Sequence, residues 1–109
     1  MTAVAPPARR IAVARAEDVP RLEARAVTVD GVRIAIYHTD RGFRATAAEC
    51  PHKGGPLADG LVGDDCVTCP LHNWRIDLQT GAVAGEEGVG VAVYPVVERK
   101  GWLYLEVPS

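Results

Sequence analysis

The chain has 109 residues, with 12 lysines and arginines against 14 aspartates and glutamates, and three cysteines. This length fits one domain with a single modest core. The charges are scattered along the chain, which argues against nucleic acid or an anionic membrane as the main partner. No stretch approaches the roughly 20 apolar residues that span a bilayer. An odd number of cysteines does not suit a disulfide-stabilised secreted scaffold, so we expect a cytoplasmic protein.

The N-terminal segment, residues 1–10, contains Ala5-Pro6-Pro7-Ala8 and lacks a usable hydrophobic period. We therefore expect a flexible tail there, followed by one domain over residues 11–109. At the start of this domain, Glu17 to Leu22 indicates a single helical turn, and the pattern beyond it is one of short strands.

The segment AVTVDGVRIAIYH predicts a β-hairpin, because Asp30-Gly31 supplies the positive φ angles of a tight turn. Its second strand is expected to place Val32, Ile34 and Ile36 on the core face, and Arg33, Ala35 and Tyr37 on the other. Further strands are predicted at Phe43 to Ala48, Val67 to Cys69, Trp74 to Leu78, Val91 to Val97 and Trp102 to Val107. This density of strands indicates an all-β fold, a small sandwich or barrel.

Two segments interrupt the strand pattern, CPHKGGPLADG from Cys50 and CPLHNW from Cys69. Together they read C-x-H, sixteen residues, C-x-x-H. A [2Fe-2S] cluster takes four protein ligands, and in Rieske centres two histidines replace two cysteines on one iron. The four residues Cys50, His52, Cys69 and His72 match such a cluster in number and type, in loops at about residues 50–57 and 69–74.

Because each loop supplies one cysteine and one histidine, the loops are expected to close on the cluster from opposite sides. The cysteines would hold the inner iron, and the histidines would hold the outer iron, facing solvent or a partner. The alternative is a structural zinc-binding module with a Cys2His2 site. Zinc pairs usually group like ligands, as C-x2-4-C and H-x3-5-H, whereas each pair here is mixed. The pattern favours the [2Fe-2S] cluster.

Over CPHKGGPLADGLV, VTCPLHNWRIDLQTG and the late YPV the sequence resembles the Rieske family, and more narrowly the small subunit of assimilatory NAD(P)H-dependent nitrite reductase. The resemblance implies a Rieske-type β-sandwich with a small cluster-binding subdomain made of two loops. It also implies a partner, a large subunit with siroheme, [4Fe-4S] and FAD that reduces nitrite to ammonium in nitrate assimilation. The chain would then be an electron-transfer subunit, not catalytic alone.

A second electron-transfer function stays open, that of a Rieske-type ferredoxin supplying an aromatic-ring-hydroxylating dioxygenase. Its length and ligands fit equally, but the two loop sequences resemble the nitrite reductase group more. A terminal oxygenase is excluded, because its mononuclear iron needs two histidines and a carboxylate and only His38 remains.

Respiratory Rieske proteins carry an additional disulfide and two hydroxyl donors around the cluster. The matching positions here are Gly55, Leu71, Trp74 and Ile76, which can form neither. Fewer donors to the sulfurs stabilise the reduced cluster less. The resemblance therefore implies a midpoint potential in the lower part of the Rieske range of about −150 to +300 mV.

The remaining residues of interest receive mostly structural interpretations. Cys66 is expected to pack as a small hydrophobe, and Trp102 is expected in the core. His38 is expected at the surface or at the end of the hairpin, and Lys53 in solvent. For Trp74, shielding or docking at the cluster and anchoring of the second loop remain equally open.

Overall fold

The computed structural model of the chain describes residues 8–50, 56–70 and 73–108. Within these ranges the strands are β1 (Ala8–Arg15), β2 (Ala24–Val29), β3 (Val32–Thr39), β4 (Gly42–Ala47), β5 (Leu61–Val62), β6 (Cys66–Thr68), β7 (Arg75–Asp77), β8 (Ala82–Val83), β9 (Glu86–Gly90), β10 (Val93–Tyr94), β11 (Val96–Arg99) and β12 (Trp102–Pro108). Short 3₁₀ turns occur at Ala16–Asp18 and Leu57–Asp59. No helix in this part of the chain is long and apolar enough to cross a membrane. The all-β prediction is confirmed.

The strands form three antiparallel sheets. The first has three strands in the order β1-β12-β11, and the second has four in the order β10-β4-β3-β2. The third has five short strands in the order β5-β6-β7-β8-β9. Strand β1 lies at an edge of its sheet, and its register against β12 shifts between Ala12 and Ala14.

Two hydrophobic cores hold these sheets together. The inter-sheet core consists of Val19, Val29, Ile34, Ile36, Ala45, Leu103, Leu105 and Val107. The loop-side core consists of Ala24, Ala35, Tyr37, Ala48, Cys50, Leu57, Val67, Cys69, Ile76, Leu78 and Val83. Because the four-stranded sheet contributes to both cores, it is the middle layer, with the three-stranded sheet on one side and the five-stranded sheet on the other.

Strand β3 shows this arrangement most directly, since both of its faces are buried. Ile34 and Ile36 lie in the inter-sheet core, as the sequence predicted, while Ala35 and Tyr37 lie in the loop-side core. Val32 was expected on the core face but is 48% exposed, because it stands at the turn where the strand begins. Strand β3 therefore connects the two cores.

Several predicted boundaries shift. Strand β1 begins at Ala8, so residues 8–10 belong to a sheet and not to the predicted tail, whose residues 1–7 lie outside the described ranges. The strand predicted over Val91 to Val97 is divided into β10 and β11, which belong to different sheets. Pro95 stands at the division, where it cannot donate a ladder hydrogen bond.

Tight turns connect the strands within two hairpins, and both contain residues suited to positive φ angles. Asp30 and Gly31 have φ angles of 52° and 81°, which confirms the predicted turn between β2 and β3. Lys100 and Gly101 have φ angles of 52° and 82° and join β11 to β12 in the same way. Two consecutive positive φ angles match the twist of the flanking strands.

The five-stranded sheet is tied to the middle sheet by the partly buried ion pair of Arg44 and Asp65. Arg44 on β4 donates from Nε to Asp65 Oδ1 at 2.8 Å and from Nη2 to Oδ2 at 3.2 Å. The side chains are only 27% and 12% exposed. The Asp65 carbonyl also accepts a hydrogen bond from the Leu78 backbone N–H at 2.9 Å. A bidentate pair of this kind is geometrically specific as well as attractive.

Replacing Asp65 by asparagine should lower the free energy of unfolding by about 1–2 kcal/mol, because Arg44 loses its charged partner in a partly buried site. Asp64→Asn is the matched control, since it removes the same charge from the exposed pair that Asp64 forms with Arg41. That change should cost at most about 0.5 kcal/mol. Urea unfolding followed by tryptophan fluorescence measures both, and equal losses would contradict the role given to Arg44.

Gly81 allows a close approach between the β7–β8 turn and the chain after β9. Its φ is +80°, and a Cβ at this position would lie 2.1 Å from the Val91 carbonyl oxygen. The same two residues are joined by a hydrogen bond from the Val91 N–H to the Gly81 carbonyl at 2.9 Å. Any side chain here would separate these segments.

Gly81→Ala should lower the free energy of unfolding by about 2–4 kcal/mol, the sum of left-handed strain and overpacking. Gly31→Ala provides the control, because Gly31 has a φ of +81° with nothing within 4 Å of an added Cβ. This variant should lower the free energy of unfolding only by the left-handed backbone strain, about 1 kcal/mol. If urea titrations find the two variants equally stable, the steric contact with Val91 is unimportant.

Candidate metal centre

The first predicted loop is closed at its neck by backbone contacts. The Leu57 N–H donates to the Ala48 carbonyl at 2.9 Å, and Glu49 and Pro56 form an isolated antiparallel bridge. Cys50 follows this neck and is only 3% exposed. Residues 51–55, with the predicted ligand His52, lie outside the described ranges. The structure thus places the cysteine of this loop at its base.

The second predicted loop follows strand β6 and is also closed at its neck. The Cys69 N–H donates to the Trp74 carbonyl at 2.7 Å, and the Asn73 N–H donates to the Cys69 carbonyl at 3.1 Å. Asn73 has a φ of 57°, a left-handed conformation that asparagine tolerates better than most residues. Cys69 is 1% exposed, and His72 lies outside the described ranges.

Both cysteines belong to the loop-side core, so the fold brings together the two loops that the sequence separates. Leu57, Val67 and Ile76 of this core are fully buried. Two cysteine thiols from two loops, enclosed by aliphatic side chains, fit the inner half of a Rieske-type [2Fe-2S] centre. The pairing of His52 with His72 on the outer half stays a prediction.

Gly60 brings the first loop region close to the second, a contact the sequence analysis did not identify. A Cβ at this position would lie 2.3 Å from the Thr68 carbonyl oxygen, one residue before Cys69. Strand β5 follows directly and pairs with β6, with Leu61 opposite Thr68. The available sequence signal was the glycine that ends CPHKGGPLADG, which alone does not specify a close contact.

Tyr37 is a second residue whose position the sequence analysis did not connect to the site. It is fully buried in the loop-side core, and its hydroxyl lies 2.8 Å from Thr46 Oγ1. Since Thr46 donates its own proton to the Ala47 carbonyl, the tyrosine hydroxyl is the donor to Thr46. Burial raises the pKa of Tyr37 far above its usual value, and the hydrogen bond to Thr46 opposes this only in part. The phenol is neutral.

The structure also shows the burial and contacts of other residues that the sequence analysis discussed. His38 Nδ1 lies 2.8 Å from the Val19 carbonyl, and its ring stacks on Phe43 at the end of β3. Trp74 is partly buried against the loop-side core, which supports its role as an anchor of the second loop. Cys66 is half-buried beside a groove and not in either core. Trp102 was expected in the core, but it is 39% exposed.

Trp102 is exposed because of the alternation along β12. Leu103, Leu105 and Val107 point into the inter-sheet core, so the intervening residues point away from it. Lys53, which was expected to be solvated, lies outside the described ranges.

Comparison with known proteins identifies the family of the chain. A family model described as the Rieske [2Fe-2S] domain matches residues 9–95. The ferredoxin component of a naphthalene 1,2-dioxygenase system from Pseudomonas aeruginosa is 31% identical over 80 residues, which are 72% of this chain and 77% of that protein.

Solved structures with the same fold include two chains that match this one over almost their whole length. A ferredoxin from Sphingomonas yanoikuyae B1 has a TM-score of 0.81 and 26% identity, over 92% of this chain and 100% of that one. A chain described as a small subunit of NADH-dependent nitrite reductase from Mycobacterium tuberculosis has a TM-score of 0.85 and 22% identity, over 94% and 97%. With a Rieske model matching most of its length, the chain belongs to the Rieske [2Fe-2S] family, whose cluster is its cofactor.

Proposed function

We propose that Cys50, Cys69, His52 and His72 hold the [2Fe-2S] cluster. The support is the burial of both cysteines in one core at the necks of the two loops. When bound, the cluster accepts and releases one electron at a time. The buried cysteine side chains would exclude water from its inner side, and the two histidines would complete the ligand set. The zinc module is set aside because the chain belongs to the Rieske family.

Cys69→Ala should abolish the visible absorption and reduce the iron and acid-labile sulfide of the purified protein to background, because one iron loses a thiolate ligand. The chain contains its own control, Cys66→Ala, which removes a thiol three residues away that is half-buried outside the core. This variant should keep iron and sulfide in equal amounts. Loss of the cluster in both variants, or in neither, would contradict the ligand assignment.

We further propose that the chain is the electron-transfer subunit of a cytoplasmic NAD(P)H nitrite reductase and is not catalytic alone. The observation that carries this proposal is the sequence of the two loops, CPHKGGPLADGLV and VTCPLHNWRIDLQTG, which resemble that group over their whole length. These loops form the part of the chain that surrounds the proposed cluster. They are the part that a large catalytic subunit would contact to exchange electrons.

The second candidate is a Rieske ferredoxin that supplies an aromatic-ring-hydroxylating dioxygenase. A specific observation favours it, the 31% identity to a naphthalene dioxygenase ferredoxin component over 77% of that protein's length. Both candidates carry single electrons through the same cluster. They differ in the partner, and therefore in whether the chain stays bound between turnovers or dissociates after each electron.

Reconstitution distinguishes the two candidates. The purified holoprotein should restore NADH-dependent ammonium formation from nitrite when added to the large nitrite reductase subunit of the same organism. It should give little product with a dioxygenase reductase and its oxygenase component. The Cys69→Ala protein serves as the control in both assays, because it keeps the surface and lacks a ligand. Restoration of ring hydroxylation without nitrite reduction would reverse the order of the candidates.

A further inference from the structure

The three-stranded sheet presents a basic and aromatic surface on the side opposite the loops. Trp102, Tyr104 and Glu106 of β12 alternate with the buried leucines and so point outward. Directly paired residues share a face, which places Arg99 of β11 beside Trp102. We call this surface, made of Arg10, Arg15, Arg99, Lys100, Trp102 and Tyr104, the outer face.

Two of the four basic side chains on the outer face have no acidic partner among the described residues. Arg10 pairs with Glu106 at 2.6 Å, and Arg15 lies 3.5 Å from Glu17 while its guanidinium stands 5.0 Å from the Trp102 ring centroid. Arg99 and Lys100 have no acidic partner among the residues that the structure describes. The chain as a whole has a formal charge of −2, so this positive surface is a local feature.

The outer face contains a hollow, and the backbone beside it is held by hydrogen bonds. A hollow of about 380 Å³ lies between Arg10, Arg99, Lys100, Trp102 and Tyr104. Lys100 is in the tight turn of the β11–β12 hairpin, and the neighbouring Gly101 carbonyl accepts a hydrogen bond from the Ala16 N–H at 2.8 Å. The side chains around the hollow therefore project from a well-supported backbone.

The outer face lies on the far side of the fold from the proposed cluster. The middle sheet and the inter-sheet core separate it from the loop-side core that contains Cys50 and Cys69. Packed sheets are about 10 Å apart, so two layers separate a molecule bound there from the proposed cluster. A partner bound on this face is held away from the proposed cluster.

From these observations we propose that the outer face anchors the chain to an acidic surface on its catalytic large subunit. Arginine and aromatic residues are the types enriched in protein interfaces, and unpaired basic groups match an acidic partner. Nucleic acid fits less well, because the overall charge of the chain opposes a polyanion. The inference rests on the proposed function, since a subunit that stays bound needs a contact apart from its redox loops.

The test measures the binding of the holoprotein to the immobilised large subunit at low and high salt. The variant R99E/K100E should bind about tenfold more weakly or worse at low salt, and its binding should lose most of the salt dependence of the parent. Its visible spectrum and midpoint potential should equal those of the parent, because the cluster is two layers away.

The control is R21E/R25E, which changes the net charge by the same amount in exposed pairs with Asp40 and Glu23. It should bind within about twofold of the parent, because these residues lie outside the outer face. If R99E/K100E binds as tightly as this control while the parent binds the large subunit, the anchor is wrong and the proposed function stands. If the parent itself does not bind, the proposed function and the anchor both fail.

Discussion

The burial of β3 on both faces is the constraint from which the layered structure follows. A strand with one buried face needs one packing partner, whereas β3 sends Ile34 and Ile36 to one side and Ala35 and Tyr37 to the other. Two further sheets are then needed to cover it. One of them completes an ordinary sandwich. The other carries the second loop and supports the first, so that the proposed metal site is built on the core and not added to its surface.

The site combines a base that the fold holds in place with the proposed donor set of two cysteines and two histidines. Backbone hydrogen bonds close both loops at their necks, which places Cys50 and Cys69 in the same apolar surroundings before any ligand geometry is considered. Gly60 and Tyr37, neither of them a proposed ligand, support this base. Gly60 permits a close backbone contact, and Tyr37 fills the core without adding charge. The burial of the cysteines and the mixed Cys/His pattern thus both favour a Rieske-type [2Fe-2S] cluster.

Features determined by local sequence were predictable, and features determined by distant contacts were not. The Asp30-Gly31 turn and the fold class follow from turn chemistry and alternation, and the two cysteines follow from motif spacing. Strand β1 was missed because arginines and alanines give it little β signal, although β12 supplies its partner. The exposure of Trp102 could not be read from hydrophobicity, because alternation with Leu103 decides it. The pairing of Arg44 with Asp65 joins residues that only the tertiary fold brings together.

The irregular register of β1 bears on how the protein behaves in concentrated solution. An edge strand has unpaired backbone groups that can recruit a strand from another molecule, which is a route to aggregation. The shift between Ala12 and Ala14 interrupts the regular spacing of those groups and increases the local twist. If a strand of a second copy paired with this edge, its backbone N–H and C=O groups would not align with those of β1 beyond the bulge. The bulge therefore makes this edge a poorer template for pairing with a second copy of the chain.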